Sequence, residues 1–198
     1  MKMKKTAILL VNLGSPDAPT PGAVYRYLTE FLNDPRVIDV AAIGRAILVN
    51  GIIVPFRHRK SAAIYKKLWT ENGSPLIHYG KRNREQLQAR FNEDETKVFL
   101  AMRYQVPSID NALREIEEWG AEKIVVLPLF PHYASATTGS VYEKVMQIIS
   151  KWWSIPEVVF IPQFYDNPLY IQGYVDNAKQ FDLKEYDRIL FSFHGLPE

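Results

Sequence analysis

Four short runs of branched and aromatic apolar residues, Thr6 to Asn12, Lys97 to Arg103, Lys123 to Leu129 and Glu157 to Pro162, restrict the fold more than any other feature. Each is short for a helix and apolar at consecutive rather than alternate positions, the pattern of a strand buried on both faces. Such strands belong to parallel sheets, which need long crossovers, and the intervening segments read as helices. Thr20 and Pro21 read as N-cap and first helical position, and Val24, Tyr27, Leu28, Phe31 and Leu32 recur at the spacing of one helical face. Asn33-Asp34-Pro35 ends that helix. Ser74-Pro75 opens another that reaches Phe91, and Ser108 caps a third, Ile109 to Trp119, closed by Gly120. Further helices are expected from Ser140 to Trp152 and from Pro168 to Phe181. The alternation predicts an α/β fold: one parallel sheet, helices on both faces, right-handed crossovers, and ligands beyond the strands' carboxyl ends.

A fifth apolar run, Arg188 to Phe193, delivers His194 ahead of Gly195 and Pro197. Laid over Ile8 to Pro16, the stretch Ile189 to Pro197 coincides at Ile, Leu, Gly and Pro, which suggests two similar α/β halves. The charged link 182–187 reads as the boundary, giving residues 1–182 as the first half and 183–198 as linker and first strand of a second. On that reading Ile189 to Phe193 is held loosely on the rim or paired with another chain, not placed centrally in the first sheet.

With 47% apolar residues a substantial core is expected. The 24 basic and 22 acidic residues nearly cancel, so nucleic acid is not an expected partner. No cysteine is present, which excludes thiolate ligands and cysteine nucleophiles within these residues and suits a reducing cytoplasm. Lys2, Lys4 and Lys5 precede too short an apolar stretch for an export signal, and a strand is expected there.

The stretch 37–56 is unusually apolar but interrupted by Asp39, Arg45, Asn50, Gly51 and Pro55, against a membrane span. It reads either as a core helix pair or as an exposed apolar lip. Arg57-His58-Arg59-Lys60 follows, a solvated face or a carboxylate clamp. The hydroxyl-rich loop from Phe130 to Ser140 leads into a helix and could bind an anion, or Thr138 or Ser140 could simply cap that helix. Leu13, Arg103, Tyr104 and this loop fall on the sheet's rim, with His194 if it docks there. An imidazole at a strand mouth is a structural hydrogen bonder, a general base, or a ligand for a divalent cation such as Fe²⁺ or Zn²⁺. No H-E-x-x-H, G-x-S-x-G or G-x-G-x-x-G is present.

Phe191-Ser192-Phe193-His194-Gly195-Leu196-Pro197 resembles the signature of ferrochelatases, the lyases that insert ferrous iron into a porphyrin at the last step of haem synthesis. Asn12 to Pro16, Gly73-Ser74-Pro75, Arg103-Tyr104 and Phe130 to Tyr133 through Thr137 to Ser140 match in the same order. The resemblance implies a Rossmann-like, chelatase-like fold of two halves with the porphyrin cleft between them. It implies His194 as metal ligand or acceptor of pyrrole protons, with Leu13, Arg103 and Tyr104 facing the macrocycle from the other side. It implies Arg57, Lys60 and Ser74 at the propionate end, and Tyr133, Thr137 and Thr138 in a wall of the cleft. Fe²⁺ and protoporphyrin IX are the implied substrates, Leu13 favouring protoporphyrin, and no further cofactor is implied for these residues. The implied setting is the cytoplasm, with peripheral contact to the inner membrane through residues 37–56. His132 stands where Gln is common in the family. A carboxylate that the family draws from its second half is not among these residues, so the 198 residues alone are expected to be inactive. A porphyrin- or anion-binding module without turnover, and a cobalt or nickel tetrapyrrole chelatase, remain as alternatives.

Overall fold

The computed structural model describes residues 4–192 and Gly195; His194 and Phe193 lie outside the described residues. Two compact units are present, Met1–Gln163 and Phe164–Glu198.

The first unit is built on four parallel strands, β1 (Thr6–Gly14), β2 (Thr96–Tyr104), β3 (Lys123–Pro128) and β4 (Glu157–Phe160), in the order β2-β1-β3-β4. All four occur where consecutive apolar residues place them. Helices are α1 (Pro21–Leu32), α2 (Ala42–Ile47), α3 (Val54–Leu68), α4 (Pro75–Gln88), α5 (Ile109–Trp119) and α6 (Ser140–Ile149), with π-helical turns at Leu48–Ile53 and Ser135–Gly139. Both sheet faces are covered. Ala7, Leu9, Val11, Phe99 and Ala101 pack with Leu113 and Ile116 of α5 and Val141 and Val145 of α6. The alternate positions Leu10, Val98, Leu100 and Met102 pack with Leu76, Ile77 and Leu87 of α4. Each strand therefore buries both sets of side chains, which is why its sequence does not alternate.

The local signals for helix starts hold at two places. Thr20 accepts a bond from the Ala23 amide with Pro21 in the first turn, and Ser108 accepts from Asn111. Gly120 takes φ of 76° and ends α5, a conformation that costs other residues more. At Ser74 the expectation of a side-chain cap fails, because Ser74 occupies the N-cap position without making that bond. Neither Thr138 nor Ser140 caps α6 through its side chain: Gly139 stands at the cap, and the Ser140 hydroxyl is used elsewhere.

The apolar stretch is not a core helix pair. Ile43 (78% exposed), Ile47, Ile52 and Phe56 (81% exposed) face solvent, while Val49 and Val54 are buried. Nor do Asn50, Gly51 and Pro55 break it, since α2, the π turn and α3 follow one another without a gap. Pro55 has no N–H and its ring would meet the carbonyl four residues back; a wider turn, with the Val54 amide reaching the Val49 carbonyl, lies immediately before it. Among the described residues no helix is long and apolar enough to cross a membrane.

The second unit holds α7 (Pro168–Ala178), capped by Asn167, and a 3-10 turn at Leu183–Glu185. The units divide at Gln163 and Phe164, ahead of the charged link at 182–187. Ile189, Leu190 and Phe191 are exposed and without regular structure.

Candidate functional site

The strand order reverses direction at β1, with β2 on one side and β3 on the other, and ligands of such sheets lie beyond the carboxyl ends there. The end of β1 is tightly built. Gly14 has φ of 113°, and a Cβ on it would sit 2.1 Å from the Tyr104 carbonyl oxygen. Only glycine lets the two strand ends approach so closely.

A cavity of about 360 Å³ opens at this point. Its floor is Leu13, Gly14 and Ser15 from the end of β1, and Tyr27 comes from α1. The C-terminal end of α3 supplies Tyr65, Leu68 and Trp69, and the start of α4 supplies Ser74, Pro75 and Leu76. A second recess of about 380 Å³ shares Ser15, Trp69 and Ser74 with it and adds Asp17 and Asn72. The aromatic wall is interlocked: the Tyr27 and Tyr65 rings meet edge to face at 6.1 Å, and Tyr27 stacks on Phe31 at 5.9 Å. Burial, then proximity to Tyr65, pushes the Tyr27 phenol far above its ordinary value, so it stays neutral. The cavity is an apolar slot with aromatic sides, suited to a flat apolar ligand.

Behind β2 lies a polar node that the sequence did not announce. Asp34, 5% exposed, follows α1. Its Oδ2 accepts bonds from Arg103 Nη2 (2.7 Å), Tyr104 Oη (2.8 Å) and the Ser140 hydroxyl. Its Oδ1 accepts from the Arg36 amide at 2.8 Å. Arg103 Nε donates to Ser140 Oγ (2.6 Å) and to the Ser140 carbonyl (3.2 Å). Burial alone would raise the Asp34 carboxyl, but the bonds from Ser140, the Arg36 amide and Tyr104 and the charge of Arg103 outweigh it and hold the carboxyl below its ordinary value. The Tyr104 phenol moves up, chiefly through burial. Next to the node, Arg36 pairs with Glu143 and donates to Ser135 Oγ at 3.0 Å.

The structure thus brings Leu13 and Ser74 together in one cavity, and Arg103 and Tyr104 together in another cluster. Tyr104 is fully buried with its hydroxyl on Asp34, so it presents no exposed face to a ligand here. Arg57 and Lys60 are exposed on α3 one turn apart, and neither lines the cavity. Tyr133 is half exposed, its hydroxyl 3.1 Å from where a Cβ on Gly139 would lie. Thr137 donates to the Ala134 carbonyl, and Thr138 is buried with no hydrogen-bond partner for its hydroxyl among the described residues. Sequence reasoning missed Asp34, Tyr27, Tyr65 and Trp69. Among the described residues no group of three His, Asp or Glu side chains is placed to hold a metal ion.

Fold and site together define a parallel α/β domain with an apolar slot at the mouth of its first strand. A family model described as ferrochelatase matches residues 5–198, and the chain belongs to that family. It is 42% identical to ferrochelatase 2 of Shewanella oneidensis, over 98% of this chain and 61% of that protein's length. It is 41% identical to a ferrochelatase of Shewanella denitrificans over the whole chain and 61% of that protein. To a coproporphyrin III ferrochelatase of Symbiobacterium thermophilum it is 40% identical, over 99% of the chain and 62% of that protein. The chain therefore spans about three fifths of the length of these relatives.

Proposed function

We propose that the full-length protein inserts Fe²⁺ into protoporphyrin IX to give protohaem, and that these 198 residues supply the first α/β half of the cleft together with the segment carrying His194. The observation that carries this is the aromatic-walled slot at the end of β1, lined by Leu13 and Ser74, in a chain of the ferrochelatase family. A porphyrin is a flat apolar disc with carboxylates at one edge, so its ring suits such a slot and its propionates suit exposed cations. Arg57 and Lys60, on the helix that supplies Tyr65 and Leu68, are the cations for that edge. Metal insertion needs two pyrrole protons removed while the ring is bent, which calls for a base on one face and rigid walls. His194 is that base or the ligand of the incoming metal, and Leu13 and the interlocked Tyr27 and Tyr65 are the rigid side. Residues 1–182 form the first half of the enzyme and 183–198 lead into the second. The 198 residues alone bind porphyrin without turnover.

Membrane contact falls to the lip. Ile43, Ile47, Ile52 and Phe56 expose apolar surface immediately before Arg57, Arg59 and Lys60, the composition of a peripheral contact with an anionic cytoplasmic leaflet. The test of function is anaerobic mixing of protoporphyrin IX and Fe²⁺ with the chain continued to its relatives' full length. Haem formation is expected, with a lower KM for protoporphyrin than for coproporphyrin III. The reverse preference would overturn the substrate assignment, and formation with Co²⁺ but not Fe²⁺ would favour a cobalt chelatase.

A further inference from the structure

The Asp34 carboxylate gathers donors from three places far apart in sequence: the corner after α1 (Arg36), the end of β2 (Arg103, Tyr104) and the start of α6 (Ser140). All four partners donate, so only an acceptor-only group satisfies them together; an amide of the same shape would turn its NH₂ toward one of those donors. Arg103 is fixed by this arrangement. Two of its three guanidinium nitrogens, Nε and Nη2, are engaged, its central carbon lies 4.6 Å from the Tyr104 ring centroid, and its side chain is 17% exposed. Nη1 makes none of these bonds. An arginine so held keeps its aim without having to be ordered when a ligand arrives.

On the reading of the site as an iron-inserting cleft, we infer that Asp34 is a positioning residue. It sets the direction of Arg103 at the mouth of β2 and locks the start of α6, and with it the hydroxyl-rich turn Ser135–Gly139, against that strand. Asp34 acts through Arg103 and does not itself touch the porphyrin.

A double-mutant cycle separates this from a purely structural ion pair, because a shared pathway makes losses non-additive. Asp34→Asn, Arg103→Ala and the double variant are made in the chain continued to its relatives' length, and kcat is expressed per folded molecule. Asp34→Asn is expected to lower kcat about tenfold or more with KM within about threefold, and the double variant to fall no more than about threefold below the worse single one. Ser140→Ala, which removes one hydroxyl, is the milder variant should Asp34→Asn not fold, and the same non-additivity with Arg103→Ala is expected of it. Losses that multiply, or an unchanged kcat, would overturn the inference. If the unmutated protein shows no turnover, the functional reading fails by itself and the second readout decides about Asp34. That readout is the ¹⁵N–¹H signal of Arg103 Nε, assigned by its loss in Arg103→Lys. Slow exchange in the unmutated chain and fast exchange in Asp34→Asn are expected; the same slow exchange in both would overturn the positioning role.

Discussion

Replacing Gly14 by Ala strains the contact between the ends of β1 and β2. The residue stands opposite Tyr104 in the parallel ladder at φ of 113°, and the added Cβ would lie 2.1 Å from the Tyr104 carbonyl oxygen and 3.0 Å from its carbonyl carbon. Relieving that overlap means moving one strand end by about 1 Å, comparable to overpacking a core, which costs about 1–3 kcal/mol. The left-handed backbone adds about 1–2 kcal/mol for a residue with a Cβ. The expected loss is therefore roughly 2–5 kcal/mol, a large part of the stability of an ordinary domain. Urea unfolding followed by tryptophan fluorescence measures it, with Gly22→Ala as control. Gly22 lies in α1 with nothing within 4 Å of its would-be Cβ, so that change should be neutral or stabilising by up to about 1 kcal/mol. A Gly14→Ala protein within about 0.5 kcal/mol of the parent would refute the close-approach reasoning.

Five further outcomes are expected. Trp69→Ala removes a wall shared by both recesses, and should weaken protoporphyrin binding by the isolated chain about tenfold in a fluorescence titration, with little change in fold. Phe56→Ser deletes the most exposed large side chain of the lip, and should cut partition onto anionic vesicles about tenfold or more, since burying a Phe contributes about 1.5–3 kcal/mol. Salt should weaken the remaining binding by screening Arg57, Arg59 and Lys60. Because the Asp34 carboxyl is lowered in the folded state, its contribution to stability is present above the ordinary carboxylate pKa and is lost as pH falls below about 4; urea midpoints at several pH values should show a loss there that Asp34→Asn lacks. Arg57→Ala in the full-length protein should raise KM for a dicarboxylate porphyrin, and an unchanged KM would remove Arg57 from the propionate end.

The strands could be read from sequence because burial on both faces leaves no room for polar alternation, and helix starts such as Thr20-Pro21 and Ser108 carry short-range chemistry. The fate of residues 37–56 could not, because periodicity locates an apolar face without saying whether anything covers it. Asp34 read only as part of a helix stop. Its importance rests on partners 69 and 106 positions away, and no local pattern encodes such a meeting. The residues of the slot split along the same line. Leu13 and Ser74 sit in motifs, whereas Tyr27, Tyr65 and Trp69 look like ordinary residues of a helix face until α1 and α3 bring them together. Arg103-Tyr104 stood out in the sequence as a pair at a strand mouth, but that the Tyr104 hydroxyl donates to the Asp34 carboxylate from a fully buried position could not be read there.

The most direct test is the anaerobic rate of Fe²⁺ insertion into protoporphyrin IX, measured side by side for the 198-residue chain, for the chain continued to its relatives' length, and for the latter carrying His194→Ala. Haem formation by the longer protein alone, abolished or reduced at least a hundredfold by His194→Ala while porphyrin still binds, is the expected result. Equal haem formation by the short and long proteins, or near-normal turnover without the His194 imidazole, would contradict it.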